Sequence, residues 1–469
     1  MTSPAATRGV PLPLGPQLIW ASGSFATGAL FNAMALFGLF FMTSVLNVSP
    51  ALAGTILLVA RIYDGVIDPL IGAVSDRTRH RWGPRRIYLL IGALGLGFSF
   101  ALFFNLGRIG FDDMSAAFMV TAALLLYSTA YSIFSIPYLA MPPEMAPDYQ
   151  SRTRLMSYRV GFLLAGVMAG SAGAPMLVKW AGGDQSGYEV MGIVLGVAST
   201  VLGLVVFWGA ARLPQSPVPP RAPPVNVLAL LASPFTDMAK VLRNAPFGVL
   251  TTVKLCQLAV LSTVLACSPY FFSLVLKVDQ SVIGQYYLIF GLAGLASVPF
   301  YRAVIGRFGK RNSYLALILL YGLGLVSWYF WQPSEPQALL YARAIVIGSL
   351  STGTLLCALA MLPDTMEYDR LISGEAREGT MSGAFTFVEN VAGALGPFLV
   401  GLLLEANGLV RGAGPQIVQP DAVLDAIKLG VSLVPASFCL VAMGFLLRYR
   451  LTAQMLVELR GAQAPVAAA

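Results

Sequence analysis

The chain contains 469 residues, of which 57% are apolar and only 11% are charged, and it carries a net charge of +8. This composition excludes an ordinary soluble domain and predicts a polytopic membrane protein. One histidine, His80, and four cysteines inside apolar segments leave little material for catalysis or a metal site, so we expect neither an enzyme nor a bound cofactor.

Twelve apolar stretches are long enough to cross a bilayer, which predicts an all-α membrane protein with twelve transmembrane helices. Most of the 30 Lys and Arg residues fall in alternate connecting segments, so we expect both termini in the cytoplasm of a multi-pass protein of the plasma (inner) membrane. Because these basic residues follow the loops, we expect no nucleic-acid partner. The predicted spans are 17–42, 50–73, 87–107, 115–141, 158–178, 190–211, 247–273, 281–303, 313–331, 340–363, 380–404 and 426–448.

The second span carries charges that an apolar helix rarely keeps. Asp64 and Asp68 are four residues apart and share one helix face, and Arg61 borders that face. Each carboxylate at membrane depth costs roughly 2.5–3.5 kcal/mol on insertion scales, so the pair requires compensation. One hypothesis is a site for Na⁺ or another hard cation at Asp64 and Asp68; the alternative is a structural ion pair with Arg61 or with another helix.

Two segments indicate an internal repeat. Residues 73–86 run from AVSDR to WGPRR after the second span, and residues 303–311 read AVIGRFGKR after the eighth. Two homologous six-span halves describe the major facilitator fold, whose binding site lies at midplane between the halves. The predicted domains are an N-terminal bundle of 1–211, a proline-rich cytoplasmic linker of 212–246 with an amphipathic helix, a C-terminal bundle of 247–450 and a short tail of 451–469.

Two further charged residues fall inside later spans. Lys254 lies early in the seventh span, where its side chain either snorkels to the cytoplasmic surface or faces a cavity and pairs with a carboxylate or a substrate anion. Glu389 lies near the middle of the eleventh span, where we expect a paired or a protonatable carboxylate, and it could carry a coupling proton. Weaker candidates for a cavity are Asn32, Tyr131, Gln257, Gln285 and Tyr287, for which helix–helix hydrogen bonds are the alternative.

Three blocks of sequence carry a family resemblance. They are ARIYDGVIDPLIGAVSDRTRHRWGPRR at 60–86, YSIFSIPY at 131–138 and PDTMEYD at 363–369. In this order they resemble the glycoside–pentoside–hexuronide:cation symporters, the melibiose-permease branch of the major facilitator superfamily. The resemblance extends from about residue 17 to residue 450.

The resemblance implies roles for several residues. Asp64 and Asp68 match the aspartates that bind Na⁺, Li⁺ or H⁺ in the family, and Ser132 matches the hydroxyl residue that assists them. Arg159 and Thr386 match residues that border the substrate pocket. The galactoside-binding residues of melibiose permease are not matched, because Gly28, Ser135, Leu139 and Asn390 stand at those positions, so a galactoside is not favoured.

The basic loop after the second span matches the cytoplasmic gate of the family. Asp76 and Arg77 are therefore candidate gating residues, together with Arg61, and the alternative is a loop that only determines topology. The remaining candidates for substrate contact are Ser135, Asn390, Glu389, Tyr131 and Lys254.

These observations predict a cation-coupled secondary symporter that works by alternating access. Its expected partners are a small-molecule substrate, a coupling cation and membrane lipid, and we expect a monomer. The family favours a sugar or glycoside. The alternatives are an amphiphilic or anionic substrate such as a lysophospholipid, or a transport-like membrane protein without coupled transport, such as a sensor or scramblase.

Overall fold

A computed structural model of the chain describes residues 13–83, 85–108, 113–145, 149–212, 244–332, 335–374, 378–412 and 418–463. Every regular element in this part of the chain is helical. The helices form two compact units, one of Met1–Val48 with Tyr63–Val225 and one of Ser49–Ile62 with Asn226–Ala469. The predicted linker of 212–246 with its amphipathic helix lies almost wholly outside the described residues.

The first unit is built from long apolar helices. Its elements are α1 (Leu14–Ser44), the second part of α2 (Pro50–Arg77), α3 (Arg86–Asn105), α4 (Asp113–Leu139), α5 (Pro142–Met145), α6 (Tyr149–Met168), α7 (Ala174–Trp180) and α8 (Gln185–Gly209). A π-helical turn, Ala169–Gly173, joins α6 to α7.

The second unit repeats this pattern. Its elements are the first part of α2, then α9 (Ala245–Tyr270), α10 (Gln280–Phe308), α11 (Lys310–Val326), α12 (Gln337–Ser373), α13 (Glu378–Ala406), α14 (Asp421–Val431), α15 (Leu433–Leu446) and α16 (Ala453–Gln463). A second π-helical turn, Phe271–Val275, follows α9.

The described helices agree with the predicted spans. Eleven helical segments are long and apolar enough to cross a membrane. The remaining predicted span, 313–331, coincides with α11, which has 17 residues. Each of the twelve predicted spans therefore has a helical counterpart, as the predicted all-α major facilitator architecture requires.

Several helix ends differ from the prediction, and two of them change the placement of residues named above. The tenth predicted span ends at Pro363, but α12 continues through this proline to Ser373 and ends where Gly374 adopts a φ of 70°. Proline inside a membrane helix is tolerated because neighbouring groups satisfy the freed backbone, whereas a left-handed glycine ends the helix. Asp76 and Arg77, which were assigned to a loop, lie in the last turn of α2.

Glycines allow α1 and α6 to pack closely. A Cβ atom at Gly166 would overlap the Phe25 carbonyl oxygen, and one at Gly28 would lie 2.8 Å from the Leu163 carbonyl oxygen. Gly161, on the same helix as Gly166, has open space at this position. Small residues therefore set the separation of these two helices, as is common in membrane bundles.

The first part of α2 packs on α13 within the second unit. The Ala51 amide donates to Glu405 Oε2 at 3.4 Å, and a Cβ atom at Gly54 would lie 2.9 Å from the Pro397 carbonyl oxygen. Residues 49–62 thus group with the C-terminal helices by their contacts, although they belong to the N-terminal bundle in sequence. The domain boundaries drawn from the sequence stay a prediction.

The tryptophans differ in exposure to the surroundings, whereas the cysteines are all buried. Trp180 at the end of α7 and Trp208 at the end of α8 are 79% and 69% exposed, whereas Trp20 is 1% exposed. All four cysteines are free and buried, as the sequence predicts.

Candidate functional site

The carboxylates of α2 lie beside α4 in the first unit. Ser132 Oγ on α4 donates a hydrogen bond to Asp68 Oδ1 at 2.5 Å. One turn earlier, the Tyr63 hydroxyl and Thr129 Oγ1 are 2.8 Å apart. Asp64 lies on the same face of α2 as Asp68 and is buried. The structure therefore brings Asp68 and Ser132 into contact, with Asp64 one helical turn away.

The chemistry of this group suits a monovalent cation or a proton. Two carboxylates and a hydroxyl supply only hard oxygen ligands, which sodium and similar ions prefer over nitrogen or sulfur. Among the residues that the structure describes, no cluster of three or more His, Cys, Asp or Glu side chains could hold a metal ion. A cation between Asp64 and Asp68 would offset two negative charges at membrane depth.

Arg61 precedes Asp64 by three residues on the same helix, but it falls in the part of α2 that groups with the second unit. Asp64 and Asp68 fall in the part that groups with the first unit. The structural ion-pair alternative for Arg61 and its gating role both stay predictions.

Three other candidates in the first unit lie on α4 and α6. Ser135 is buried and lies three residues after Ser132. The Tyr131 ring centroid is 6.2 Å from that of Phe31 on α1, a ring contact that holds α4 against α1. Arg159 on α6 is partly buried, and its Nε atom has no hydrogen-bond partner among the described residues. A buried guanidinium nitrogen in this state can still donate a hydrogen bond.

The candidates in the second unit centre on an ion pair between α9 and α13. Lys254 Nζ lies 3.3 Å from Glu389 Oε1, with side chains 2% and 39% exposed, respectively. Lys254 Nζ also lies 5.5 Å from the centre of the Phe385 ring. The lysine therefore pairs with a carboxylate and does not snorkel to the surface. Thr386 and Asn390 flank Glu389 on α13, where Thr386 is exposed and Asn390 partly buried.

Most of the weaker cavity candidates make helix–helix hydrogen bonds. Gln257 donates to Thr354 Oγ1 at 3.0 Å and accepts from the Tyr314 hydroxyl at 3.1 Å. The Tyr287 hydroxyl donates to Ser268 Oγ at 2.7 Å, and Gln285 accepts from a tyrosine of α12. These contacts explain the polar residues by packing between membrane helices.

The basic loop residues tie helix ends together in each unit. In the first unit, Arg85 donates to the Ala140 carbonyl and lies 3.5 Å from Asp76, while Arg86 donates to the Phe207 carbonyl at 3.3 Å.

In the second unit, Lys310 donates to the Ala360 carbonyl at 2.9 Å and pairs with Asp364 at 2.6 Å, while Arg311 donates to the Leu447 carbonyl at 2.7 Å. Asp76 thus pairs with Arg85, while its gating role stays a prediction. The basic residues that bind carbonyls are Arg85, Arg86, Lys310 and Arg311. The repeated Gly-(Pro)-basic-basic pattern is the sequence signal that could have identified them.

Comparison with known proteins identifies the family. Residues 19–453 match the family described as MFS/sugar transport protein. The chain belongs to this family. The resemblance to the glycoside–pentoside–hexuronide:cation symporters is thereby confirmed, as is the major facilitator fold.

Individual relatives of this MFS/sugar transport protein cover nearly the whole chain. It is similar to a glucuronide carrier protein homolog of Escherichia coli (strain K12), with 29% identity over 472 residues that cover 95% of this chain and 96% of the relative. It is also similar to an isoprimeverose transporter of Lactiplantibacillus pentosus, with 25% identity, 90% of this chain and 86% of the relative. A solved D-xylose-proton symporter shares the fold, with a TM-score of 0.64 and 16% identity over 92% of this chain and 97% of that chain.

Membership of the MFS/sugar transport family decides the class of function. The chain is an integral, multi-pass membrane protein and a secondary transporter of the symporter type, not an enzyme. The predictions of class, fold and family are confirmed at this level.

Proposed function

We propose that this MFS/sugar transport protein is a cation-coupled symporter that moves a sugar or glycoside by alternating access. The observation that carries the proposal is the hydrogen bond from Ser132 to Asp68, with Asp64 one turn away on the same helix face. We propose Na⁺ as the coupling cation, with Li⁺ or H⁺ as the other ions that the same oxygen atoms would accept. The names of similar proteins, a glucuronide carrier homolog and an isoprimeverose transporter, support a sugar or glycoside as the solute.

The coupling follows from the charge of the α2 pair. Without a cation, Asp64 and Asp68 repel each other in a region where water is scarce. A bound cation offsets that charge, and Ser132 holds Asp68 in one orientation through a charge-assisted hydrogen bond. In this mechanism the cation-loaded protein forms its solute site more readily than the empty one, which links the two ligands by their binding free energies.

Thermal unfolding of the purified protein tests the cation site. We expect Na⁺, compared with choline, to raise the unfolding temperature of the wild type, since ligands that bind only the folded state stabilise it. Asp68→Asn should abolish this shift. Asp76→Asn is the matched control, because Asp76 is an exposed carboxylate on the same helix and should leave the shift intact.

The same measurement in Li⁺ and across a range of pH separates the coupling ions. A shift with pH but not with Na⁺ would assign the coupling to protons. Loss of every cation effect in the wild type would contradict the proposed coupling and favour a transport-like protein without coupled transport.

One observation favours an anionic solute as a second candidate. The buried Nε of Arg159 lacks a hydrogen-bond partner among the described residues, and a carboxylate, sulfonate or phosphate could accept from it. Uptake of methyl β-D-glucuronide and of lysophosphatidylcholine should then depend on Arg159, with Arg159→Gln losing uptake and Arg159→Lys retaining part of it. Equal uptake by both variants would remove this candidate.

We also propose a location and assembly for the protein. The distribution of basic residues supports the plasma (inner) membrane with both termini in the cytoplasm. We propose that the protein acts as a monomer in contact with membrane lipid. Reporter domains fused to the C-terminus, active on one side of the membrane only, test the orientation.

A further inference from the structure

The pair of Lys254 and Glu389 is strongly asymmetric. The lysine side chain is 2% exposed and the glutamate side chain is 39% exposed, although their charged atoms are 3.3 Å apart. Among the described residues, Glu389 is the salt-bridge partner of Lys254. The ammonium group is thus enclosed by protein, while the carboxylate keeps accessible surface.

The position of Lys254 and Glu389 within the membrane indicates what the accessible surface of Glu389 faces. At 1.5 Å per residue, Lys254 lies about 14 Å from the start of the apolar segment Ala245–Val275, and Glu389 lies about 8 Å from the start of the apolar segment Ala384–Ala406. The hydrocarbon core is about 30 Å thick, so both residues lie inside it. Charged side chains at this depth face the bundle interior or a water-filled cavity, because exposure to lipid is too costly.

The neighbouring residues of α13 support a water-facing surface. Thr386 and Asn390, one turn before and next to Glu389, are polar and not fully buried. Phe385 and Val388, which lie on the side of the helix that contacts the rest of the unit, are 4% and 8% exposed. All three polar side chains of this stretch, Thr386, Glu389 and Asn390, therefore keep accessible surface.

We propose that Glu389 accepts hydrogen bonds from hydroxyl groups of the transported solute and that Lys254 is the positioning residue that fixes the carboxylate. This inference rests on the proposed function, and it adds the chemical character of the solute at one point of its site. A carboxylate offers about four lone-pair positions, of which Lys254 occupies one side only. Hydrogen bonds from hydroxyl groups to a carboxylate are charge-assisted and stronger than those between neutral groups.

The difference in exposure between Glu389 and Lys254 determines whether this part of the site accepts neutral or anionic solutes. A solute meets the negative Glu389 before it can meet Lys254, because the lysine is enclosed behind it. An anionic substituent is therefore repelled at this point, whereas an uncharged ring bearing hydroxyl groups is accepted. An anionic group of the solute, if present, must contact another part of the protein.

Cysteine labelling tests the exposure of Glu389 without any solute. The reagent is the membrane-impermeant 2-(trimethylammonium)ethyl methanethiosulfonate, and the wild type is the baseline because its four cysteines are buried. Glu389→Cys should react at least about tenfold faster than Val388→Cys, whose side chain points into the protein. Equal rates for the two variants would overturn the inference.

Uptake by the reconstituted full-length protein tests the role of the pair, with methyl β-D-glucopyranoside and methyl β-D-glucuronide as probes. Glu389→Gln should raise the KM for the glucoside roughly tenfold, as expected for loss of a hydrogen bond to a charged group. Lys254→Met should raise KM with a smaller effect on the maximal rate, because the carboxylate remains but is no longer held.

The double variant Lys254→Met with Glu389→Gln separates this role from a purely structural ion pair. It removes both charges, so it should unfold near the wild-type temperature yet keep the high KM of Glu389→Gln. A wild-type KM in the double variant would overturn the inference. Uptake of neither glycoside by the wild type would count against the proposed function, and the labelling rates would still decide whether Glu389 is accessible from water.

Discussion

Ser132 and Lys254 each stabilise a carboxylate inside the membrane, but one is neutral and the other is charged. Each supplies a donor to a carboxylate inside the membrane, Asp68 in one case and Glu389 in the other. The Ser132 hydroxyl is neutral and leaves the net charge of Asp68 unchanged, whereas the ammonium group of Lys254 offsets the charge of Glu389. This difference favours ion binding at α2 and solute binding at α13.

Removing the Ser132 hydroxyl should weaken cation binding without destroying the site. A hydrogen bond to a charged group contributes about 1.5–3 kcal/mol, so Ser132→Ala should lower the apparent Na⁺ affinity roughly 10- to 100-fold. The measurement is the Na⁺ concentration that gives half of the full shift in unfolding temperature. Ser99→Ala is the control, because the buried Ser99 hydroxyl bonds to the Leu96 carbonyl of its own helix. An unchanged midpoint in Ser132→Ala would exclude the hydroxyl from the cation site.

At the residue scale, the sequence predicts which charges are unusual but not which of them meet. Asp64, Asp68, Lys254 and Glu389 stand out because membrane depth penalises charge. The contact of Lys254 with Glu389 depends on the rotation of two helices far apart in the chain, which hydrophobic runs do not encode. For Arg85 and Arg311 the repeated basic pattern marks the residues, but their acceptors are backbone carbonyls, which the sequence does not identify.

At the element scale, helix positions follow from apolar runs, while helix ends depend on single residues. Pro363 suggested an end that the structure does not have, and Gly374 supplies the actual one through its left-handed conformation. The polar residues between them remain helical because α12 extends beyond the hydrocarbon, where a hydropathy pattern no longer marks the helix. Helix existence was thus predictable, and the length of α12 was not.

The packing of α1 on α6 provides a matched pair of glycine variants. Gly166→Ala should destabilise the protein by about 1–3 kcal/mol, because the new methyl group would overlap the Phe25 carbonyl. Gly161→Ala, on the same helix but facing open space, should be neutral or stabilising by up to about 1 kcal/mol through helix propensity. Unfolding temperatures of the two variants give the comparison. Equal effects would show that helix propensity, not contact with α1, governs both positions.

At the scale of the whole molecule, the internal repeat seen in the sequence has a structural counterpart in each unit. Arg86 binds the carbonyl of Phe207 near the end of α8, and Arg311 binds the carbonyl of Leu447 after α15. Lysine or arginine side chains at these points satisfy carbonyls that a helix end leaves unpaired. In each unit the repeat therefore places an arginine side chain on a carbonyl at the end of the last candidate membrane span, which ends with α8 in the first unit and with α15 in the second.

Removing these arginine–carbonyl hydrogen bonds should lower the free energy of unfolding by similar amounts in both units. Arg86→Met and Arg311→Met should each lower stability by about 1–2 kcal/mol, through loss of hydrogen bonds from a charged donor. The double variant should show about the sum, because the two sites share no partner. Arg302→Met, which replaces an exposed arginine, is the control in thermal unfolding. If Arg86→Met unfolds at the wild-type temperature and Arg311→Met at a lower one, the two contacts do not contribute equally to stability.

The two exposed tryptophans of the first unit mark both faces of the membrane. α8 has 25 residues and is therefore about 37 Å long, somewhat more than the hydrocarbon thickness, with Trp180 just before its start and Trp208 near its end. Indole rings favour the headgroup level. In variants that keep one of the six tryptophans, lipids brominated near the headgroup should therefore quench Trp180 and Trp208 but not Trp20. Quenching of both rings would place the two ends of α8 at opposite headgroup layers, so the intrinsic fluorescence of the protein reports how this helix fits the bilayer.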